Sequence, residues 1–308
     1  MSLLTKDKIT EIFCLLADDF CKEYAAEIDS QKKLPADEGK KTRNRKHAMS
    51  DSEIITILML YHFGTFKNFK SFYLFYVREH LRSEFPKQLS YSRFIAIEHK
   101  VFVPMMLFLN IVCFGECTGI SFVDSTKISV CHNKRIYRDK TFDGFAKRGK
   151  STMGWFYGFK LHFVCNEKGE ILSFYFSAGN TDERDTRIFE VLKKKLFGKL
   201  YGDKGYVSQS LFEMLFTQGI HIVTGLKSNM KNRLMPLFDK IMLRKRSVIE
   251  TINDELKNIC DIEHSRHRSI HNFLMNLIAA LGAYCFFEKK PAIRFERTYE
   301  KQQLALFF

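Results

Sequence analysis

From the N-terminus to about residue 115 the apolar residues recur every three or four positions, the spacing of helices that each bury one face. Residues 4–24 carry this spacing, and residues 29–47 break it with a polar, basic stretch read as a linker or loop. Ser50-Asp51-Ser52-Glu53 stands directly before an apolar run. With Ser50 as N-cap and Glu53 three residues on, it is a capping box that opens a helix to about His62. A further helix is expected over residues 68–81, Pro86 interrupts, and Ser90-Tyr91-Ser92-Arg93 opens a long helix to about Phe114. Near Gly119 the period changes to two. Ile120, Phe122 and Asp124 alternate with Ser121 and Val123 in a strand predicted to end at Asp124. Residues 155–165 read as a second strand, Asn166-Glu167-Lys168-Gly169 as a turn and residues 170–177 as a third strand, together a hairpin. Asn180 is read as the cap of a helix reaching about Phe197, with Glu183 at its third position. Residues 199–202 form a fourth strand leading to Asp203, residues 208–218 a helix, residues 221–225 a fifth strand, and residues 246–260 and 269–287 two more helices. The pattern predicts an all-helical region over residues 1–116, an α/β region with a mixed five-stranded sheet and helices over residues 117–290, and a charged tail over residues 291–308.

Composition sharpens this. The chain has 308 residues and a formal net charge of +14, a surplus that suits a polyanionic partner such as nucleic acid. The charge is clustered: residues 32–46 hold seven basic side chains against two acidic, and residues 227–246 seven against one. Short helices, a basic loop and a polar helix start fit a helix-turn-helix module, so DNA-end binding is expected of the N-terminal region. Eight cysteines show no disulfide framework, and Cys113 and Cys117 lack the second pair of a zinc site, which reads as reduced thiols of an intracellular protein. The N-terminus carries no signal-peptide pattern, so a cytoplasmic, nucleoid-associated protein is expected. Residues 269–287 are apolar and uncharged, but His271, Asn272 and Asn276 fit a buried core helix better than a membrane span. His264, His267 and His271 are read as basic surface or core packing rather than a zinc site, and Trp155 as core, with base stacking as the alternative.

The candidate chemistry rests on three carboxylates. Asp124 and Asp203 each follow an apolar strand, Asp203 between Gly202 and Gly205. On the helix from Arg246, steps of about 100° place Arg246, Glu250, Asn253, Asp254 and Lys257 on one stripe and Val248, Ile252, Leu256 and Ile259 on the opposite, apolar face. Two strand-end aspartates and one helix glutamate can converge on a pair of Mg²⁺ ions, hard cations that take oxygen ligands. Arg246, Lys257, Lys204, Lys127, Lys160 and Arg93 are the candidate DNA-binding cations. Asp182 and Asp185 are read instead as first-turn helix residues favoured by the dipole.

Three strands, helix, strand, helix, strand and helices is the element order of a ribonuclease H-like fold. The chain resembles DDE transposases of the insertion-sequence type, in particular the IS982 family. The resemblance is carried by Val123-Asp124-Ser125-Thr126, Gly154-Trp155-Phe156-Tyr157-Gly158-Phe159-Lys160-Leu161-His162, Gly179-Asn180-Thr181-Asp182, Gly202-Asp203-Lys204-Gly205-Tyr206, Arg246-Ser247-Val248-Ile249-Glu250-Thr251 and His264-Ser265-Arg266-His267-Arg268-Ser269, in that order. It implies a ribonuclease H-like catalytic core with Asp124, Asp203 and Glu250 as the catalytic, metal-binding carboxylates. It also implies two Mg²⁺ ions for which Mn²⁺ can substitute, inverted-repeat ends and target DNA as substrates, and a homodimer or larger assembly on DNA. Related transposases often carry Tyr, two residues, Arg, three residues, Glu, six residues, Lys; here Arg246, Glu250 and Lys257 fit and Leu243 stands at the tyrosine position. A metal-dependent nuclease of the same fold and an inactive DNA-binding relative are the alternatives.

Overall fold

The change of period near Gly119 is where helices give way to a sheet in a computed structural model of the chain. Residues 9, 12, 17–31, 48–63, 66–152, 154–226, 230, 234–263 and 267–294 are described. Most of the helix expected over residues 4–24, the basic stretch over residues 32–46 and most of the C-terminal tail lie outside them.

The N-terminal part consists of α1 (Asp18–Gln31), α2 (Asp51–Tyr61), α3 (Phe69–Ser71, Phe72–Val77 and Arg78–His80, continuous) and α4 (Tyr91–Cys113). The capping box at α2 is formed: Ser50 Oγ accepts from the Glu53 N–H at 3.1 Å and the Glu53 carboxylate from the Ser50 N–H at 2.6 Å. Asn68 and Ser90 cap α3 and α4 in the same way through their side chains. By length and composition α4 is apolar enough to cross a membrane. Its buried Phe94, Ile97, Val101, Met105 and Phe108 recur every three or four residues and enter the core.

The rest is β1 (Ile120–Cys131), β2 (Lys147–Ser151), β3 (Gly154–Asn166), β4 (Ile171–Ala178), α5 (Thr186–Leu192), β5 (Gly198–Gly202), α6 (Gln209–Phe216), β6 (Ile220–Thr224), α7 (Leu237–Lys245), α8 (Ser247–Asn258) and α9 (Ile270–Cys285). One mixed sheet of six strands runs β3, β1, β5, β6, with β2 and β4 end to end along the free edge of β3. β1, β3 and β4 are antiparallel neighbours, and β1, β5 and β6 are parallel. Helices cover both faces. Val123, Val164, Leu200 and Ile222 meet Ile188 and Leu192 of α5 and Leu211 and Leu215 of α6. On the other face Phe122, Ile128 and Phe163 belong to a core shared with α8, α9 and the N-terminal helices. α9, the helix expected as core, is its centre: it packs on α2, α4 and α8, and a Cβ at Gly282 would stand 2.9 Å from Leu109 and 3.1 Å from Met59.

Several expectations are corrected. The sheet has a sixth strand, β2, whose sequence Lys-Arg-Gly-Lys-Ser lacks an apolar alternation and which forms because β3 offers a free edge. β1 does not stop at Asp124: Thr126, Ile128 and Val130 keep the buried alternation and the long β3 partners it to Cys131. α5 starts at Thr186 with Asp185, not Asn180, as its cap, and α7 precedes α8 where only a basic segment was expected. Ile259 is 51% exposed because α8 ends at Asn258 and the chain turns away, with Asp261 at positive φ.

Candidate active site

Asp124 lies where β1 loses its parallel neighbour. Ile120, Ser121 and Phe122 pair with Lys199, Leu200 and Tyr201; β5 then ends at Gly202 and the chain leaves the sheet through the turn Lys204–Tyr206. Asp203 lies two residues beyond Tyr201, as Asp124 lies two beyond Phe122, at the point where the chain leaves the sheet. Gly202 makes this junction tight, since a Cβ there would stand 3.2 Å from Val123 Cγ1 and 3.1 Å from the Tyr206 ring. The Asp203 carboxylate is exposed and accepts from the Lys204 N–H at 2.6 Å.

Glu250 reaches the same place from α8, which packs on β1. The Arg246 guanidinium bridges the two: Nη2 lies 2.6 Å from Glu250 Oε1 and Nη1 3.9 Å from Asp124 Oδ1. Asn253, one further turn along, donates from Nδ2 to Asp124 Oδ2 at 2.9 Å. The polar stripe of α8 therefore faces Asp124, while Val248, Ile252 and Leu256 are buried beneath it.

Burial pushes the Asp124 carboxyl up to about 6, and the charges of Glu183 and Glu250 push the same way; Arg246 and the Ser125 N–H oppose them. Glu183 was not anticipated as a site residue. Its Oε1 accepts from Ser125 Oγ at 2.7 Å and from Lys160 Nζ at 3.3 Å. It reaches β1 because residues 180–185 form a turn rather than the first turn of a helix. Asp182 accepts from the Arg184 N–H at 2.9 Å, and Asp185 caps α5 through the Arg187 N–H at 3.0 Å. The hydrogen bond from Arg184 holds Asp182 down at about 2, and Arg187 lowers Asp185 likewise. The signal that marks Glu183 is its place directly after Gly179-Asn180-Thr181-Asp182. Tyr206, fully buried beside these groups, has its hydroxyl pushed well up by burial and by Asp124 and Glu183.

The candidate cations are dispersed. Lys127 and Lys160 are register partners on β1 and β3; Lys160 is held inside by Thr181 O at 3.1 Å and by Glu183. Lys204 is exposed, its alkyl chain against Gly225. Lys257 pairs with Glu263 at 3.2 Å, and Arg93 is exposed in the first turn of α4. His267 packs against Phe273, His271 is exposed and His264 lies outside the described residues. Trp155, expected in the core, is 54% exposed, because the start of β3 pairs with β2 beyond the reach of the covering helices.

Among the described residues no three His, Cys, Asp or Glu side chains stand together closely enough to hold a metal as they lie. Arg246 bridges Asp124 and Glu250, the position a cation would share. The donor chemistry nevertheless fits a hard divalent ion: every candidate ligand is a carboxylate oxygen, and Asp124 is a partly buried acid near two further acids.

Comparison with known proteins bears on what this arrangement is. The solved structures to which the chain is similar include the following three. The piggyBac transposase synaptic complex with hairpin DNA is 12% identical over 91% of this chain and 74% of that one, with a TM-score of 0.48. The Mos1 strand transfer complex is 11% identical over 87% and 84%, with a TM-score of 0.22. The Mos1 paired-end complex with left transposon end is 12% identical over 85% and 87%, with a TM-score of 0.22. No curated protein matches. The family model described as "Transposase DDE domain" matches residues 114–270, just over half of the chain and the whole stretch from β1 to the start of α9 that carries the three carboxylates. The chain belongs to the DDE transposase domain family.

Proposed function

We propose that this protein is a DNA transposase of the insertion-sequence type that cleaves and joins DNA at the ends of its element. The observation that carries the reading is the Arg246 bridge between Asp124 on β1 and Glu250 on α8, beside the end of the parallel strand β5 after which Asp203 follows. The strand order, three antiparallel followed by two parallel, supports a ribonuclease H-like core, and the motif order supports a relative of the IS982 family.

In this reading Asp124, Asp203 and Glu250 would hold two Mg²⁺ ions, with Mn²⁺ able to replace them. When bound, such ions lower the pKa of a nucleophile and stabilise the leaving oxygen of a phosphodiester. Asn253 orients the Asp124 carboxylate by donating to Oδ2, which leaves Oδ1 toward Arg246 and the site. Arg246 presents a planar donor that suits phosphate oxygens, and its present contact with Glu250 is the one a ligand would exchange. Lys204, next to Asp203 in the chain, is a further phosphate partner, and DNA ends are processed in a dimer or larger assembly.

The test is an assay with Mg²⁺ and DNA carrying the element's inverted-repeat ends, run on the chain and on Asp124→Asn, Asp203→Asn and Glu250→Gln. Each substitution is expected to lower both cleavage and joining by at least about 10³-fold, the scale of losing a group that acts only in the transition state, with thermal stability little changed. Undiminished cleavage in Asp203→Asn would overturn the assignment, and cleavage without any joining would make the protein a nuclease.

A further inference from the structure

Trp155 is the only tryptophan of the chain, and 54% of it is exposed at the tip of the β2–β3 hairpin. A single exposed apolar side chain is ordinary, and other large ones are exposed in this chain; what distinguishes Trp155 is the charge beside it. Its surroundings are cationic. Lys150 is its direct cross-strand partner and Arg148 lies two residues back on the same face; their charged groups stand 5.9 and 5.3 Å from the ring centroid. Among the described residues neither cation is in a salt bridge. Residues 134–150 hold seven basic side chains against two acidic, and the short helical turn Asn133–Arg138, which packs on β3, adds Tyr137 at 99% exposure.

The backbone that carries the ring is held in place. Asn133 Nδ2 donates to the Trp155 carbonyl at 2.7 Å. On the opposite face of β2 the backbone at Gly149 lies so close to Gly179 that an added Cβ would stand 2.1 Å from its carbonyl oxygen. An exposed aromatic ring on a held backbone, between cations outside any salt bridge, matches an unstacked nucleotide: the base stacks on the indole while the cations take the flanking phosphates. An intact duplex hides its base faces, so the match is to single-stranded or opened DNA. The eight steps of β3 from Trp155 to Phe163, the partner of Asp124, place this platform roughly 27 Å from the carboxylates along the strand, a separate contact from the candidate active site.

We propose that Trp155, Arg148 and Lys150 form a stacking platform for an unpaired base of DNA, outside the catalytic carboxylates. The proposal rests on DNA being the partner. Because Trp155 is the sole tryptophan, its emission reports this position alone. The intact chain, without Mg²⁺ to prevent cleavage, is titrated with a labelled single-stranded oligothymidylate and with a blunt duplex, recording tryptophan emission together with the anisotropy of the label. Saturable quenching that tracks anisotropy with the single strand, and weaker quenching with the duplex, is expected. Trp155→Ala is expected to weaken single-strand binding by about 5- to 150-fold, the range for loss of one base–aromatic stack, and to leave duplex binding and the melting temperature little changed, with Trp155→Phe close to the parent. Single-strand binding without quenching, or unchanged affinity in Trp155→Ala, overturns the platform while leaving DNA as partner. Absence of binding to either DNA overturns the DNA reading and the platform with it.

Discussion

Glu98, in the short 3-10 segment within α4, is 4% exposed, and burial pushes its carboxyl up from 4.5 to about 8. The folded chain thus keeps a proton that the unfolded chain releases. Below the unfolded value both states are protonated and Glu98 favours neither. Between 4.5 and about 8 stability falls as pH rises, and above that range the full cost of a buried carboxylate applies. Glu98→Gln is neutral at every pH, so its melting temperature should exceed the parent's near pH 9, by on the order of several kcal/mol in stability, and the gap should close toward about pH 4. A difference that does not change with pH would show that Glu98 is not the titrating group. The sequence could not have singled out Glu98, because its segment is covered by α2 and by α9, the latter more than 170 residues away in the chain. That Asp124 and Glu250 share a neighbour, Arg246, was legible because both sit on periodic elements whose faces can be counted. Glu183 was not, since it reaches Ser125 only after Asp182 and Asp185 convert the expected helix start into a turn. Trp155 was read as core because an aromatic run shows that a strand packs, not where the covering helices stop.

Elements were legible where local chemistry and packing agree. Ser50, Ser90, Ser208 and Ser269 cap the helices that the apolar spacing predicts. β2 was invisible for the opposite reason: five polar or glycine residues with no preference of their own become a strand because β3 lends them a ladder. Its attachment depends on the close approach of Gly149 to the Gly179 carbonyl. Gly149→Ala is therefore expected to cost about 2–3 kcal/mol through overpacking. Amide exchange should rise in β2 and at the start of β3 while α9 stays protected, because the hairpin opens without the main core. Lys147→Ala, on the same strand but exposed, should leave exchange unchanged. Equal exchange in the glycine variant and the parent would mean that β2 can shift to admit a methyl group, and that the platform it carries is less fixed than its contacts imply.

Across the whole molecule the surplus of +14 charges is distributed between cations already neutralised inside the fold and cations left open. Lys160 with Glu183, Lys199 with Asp239 and Lys257 with Glu263 belong to the first group, and Arg187 is neutralised by Asp185 at the surface. Arg148 and Lys150 belong to the second, beside an exposed aromatic ring. Only open cations displace counterions from DNA, and each such contact adds about 0.7–0.9 to the slope of log affinity against log salt. The affinity of the intact chain for its DNA ends should thus fall linearly on that plot. Arg148→Ala combined with Lys150→Ala should reduce the slope by about 1.5 on a substrate with an opened end and by less on a closed duplex, where the platform has no base to hold. Arg187→Ala removes the same kind of charge from a surface ion pair and should leave the slope unchanged. An equal loss of slope from all three positions would mean that the molecule binds DNA through its net charge alone. A loss confined to the hairpin on opened DNA would show that the excess charge is organised around the place where a strand end leaves the duplex.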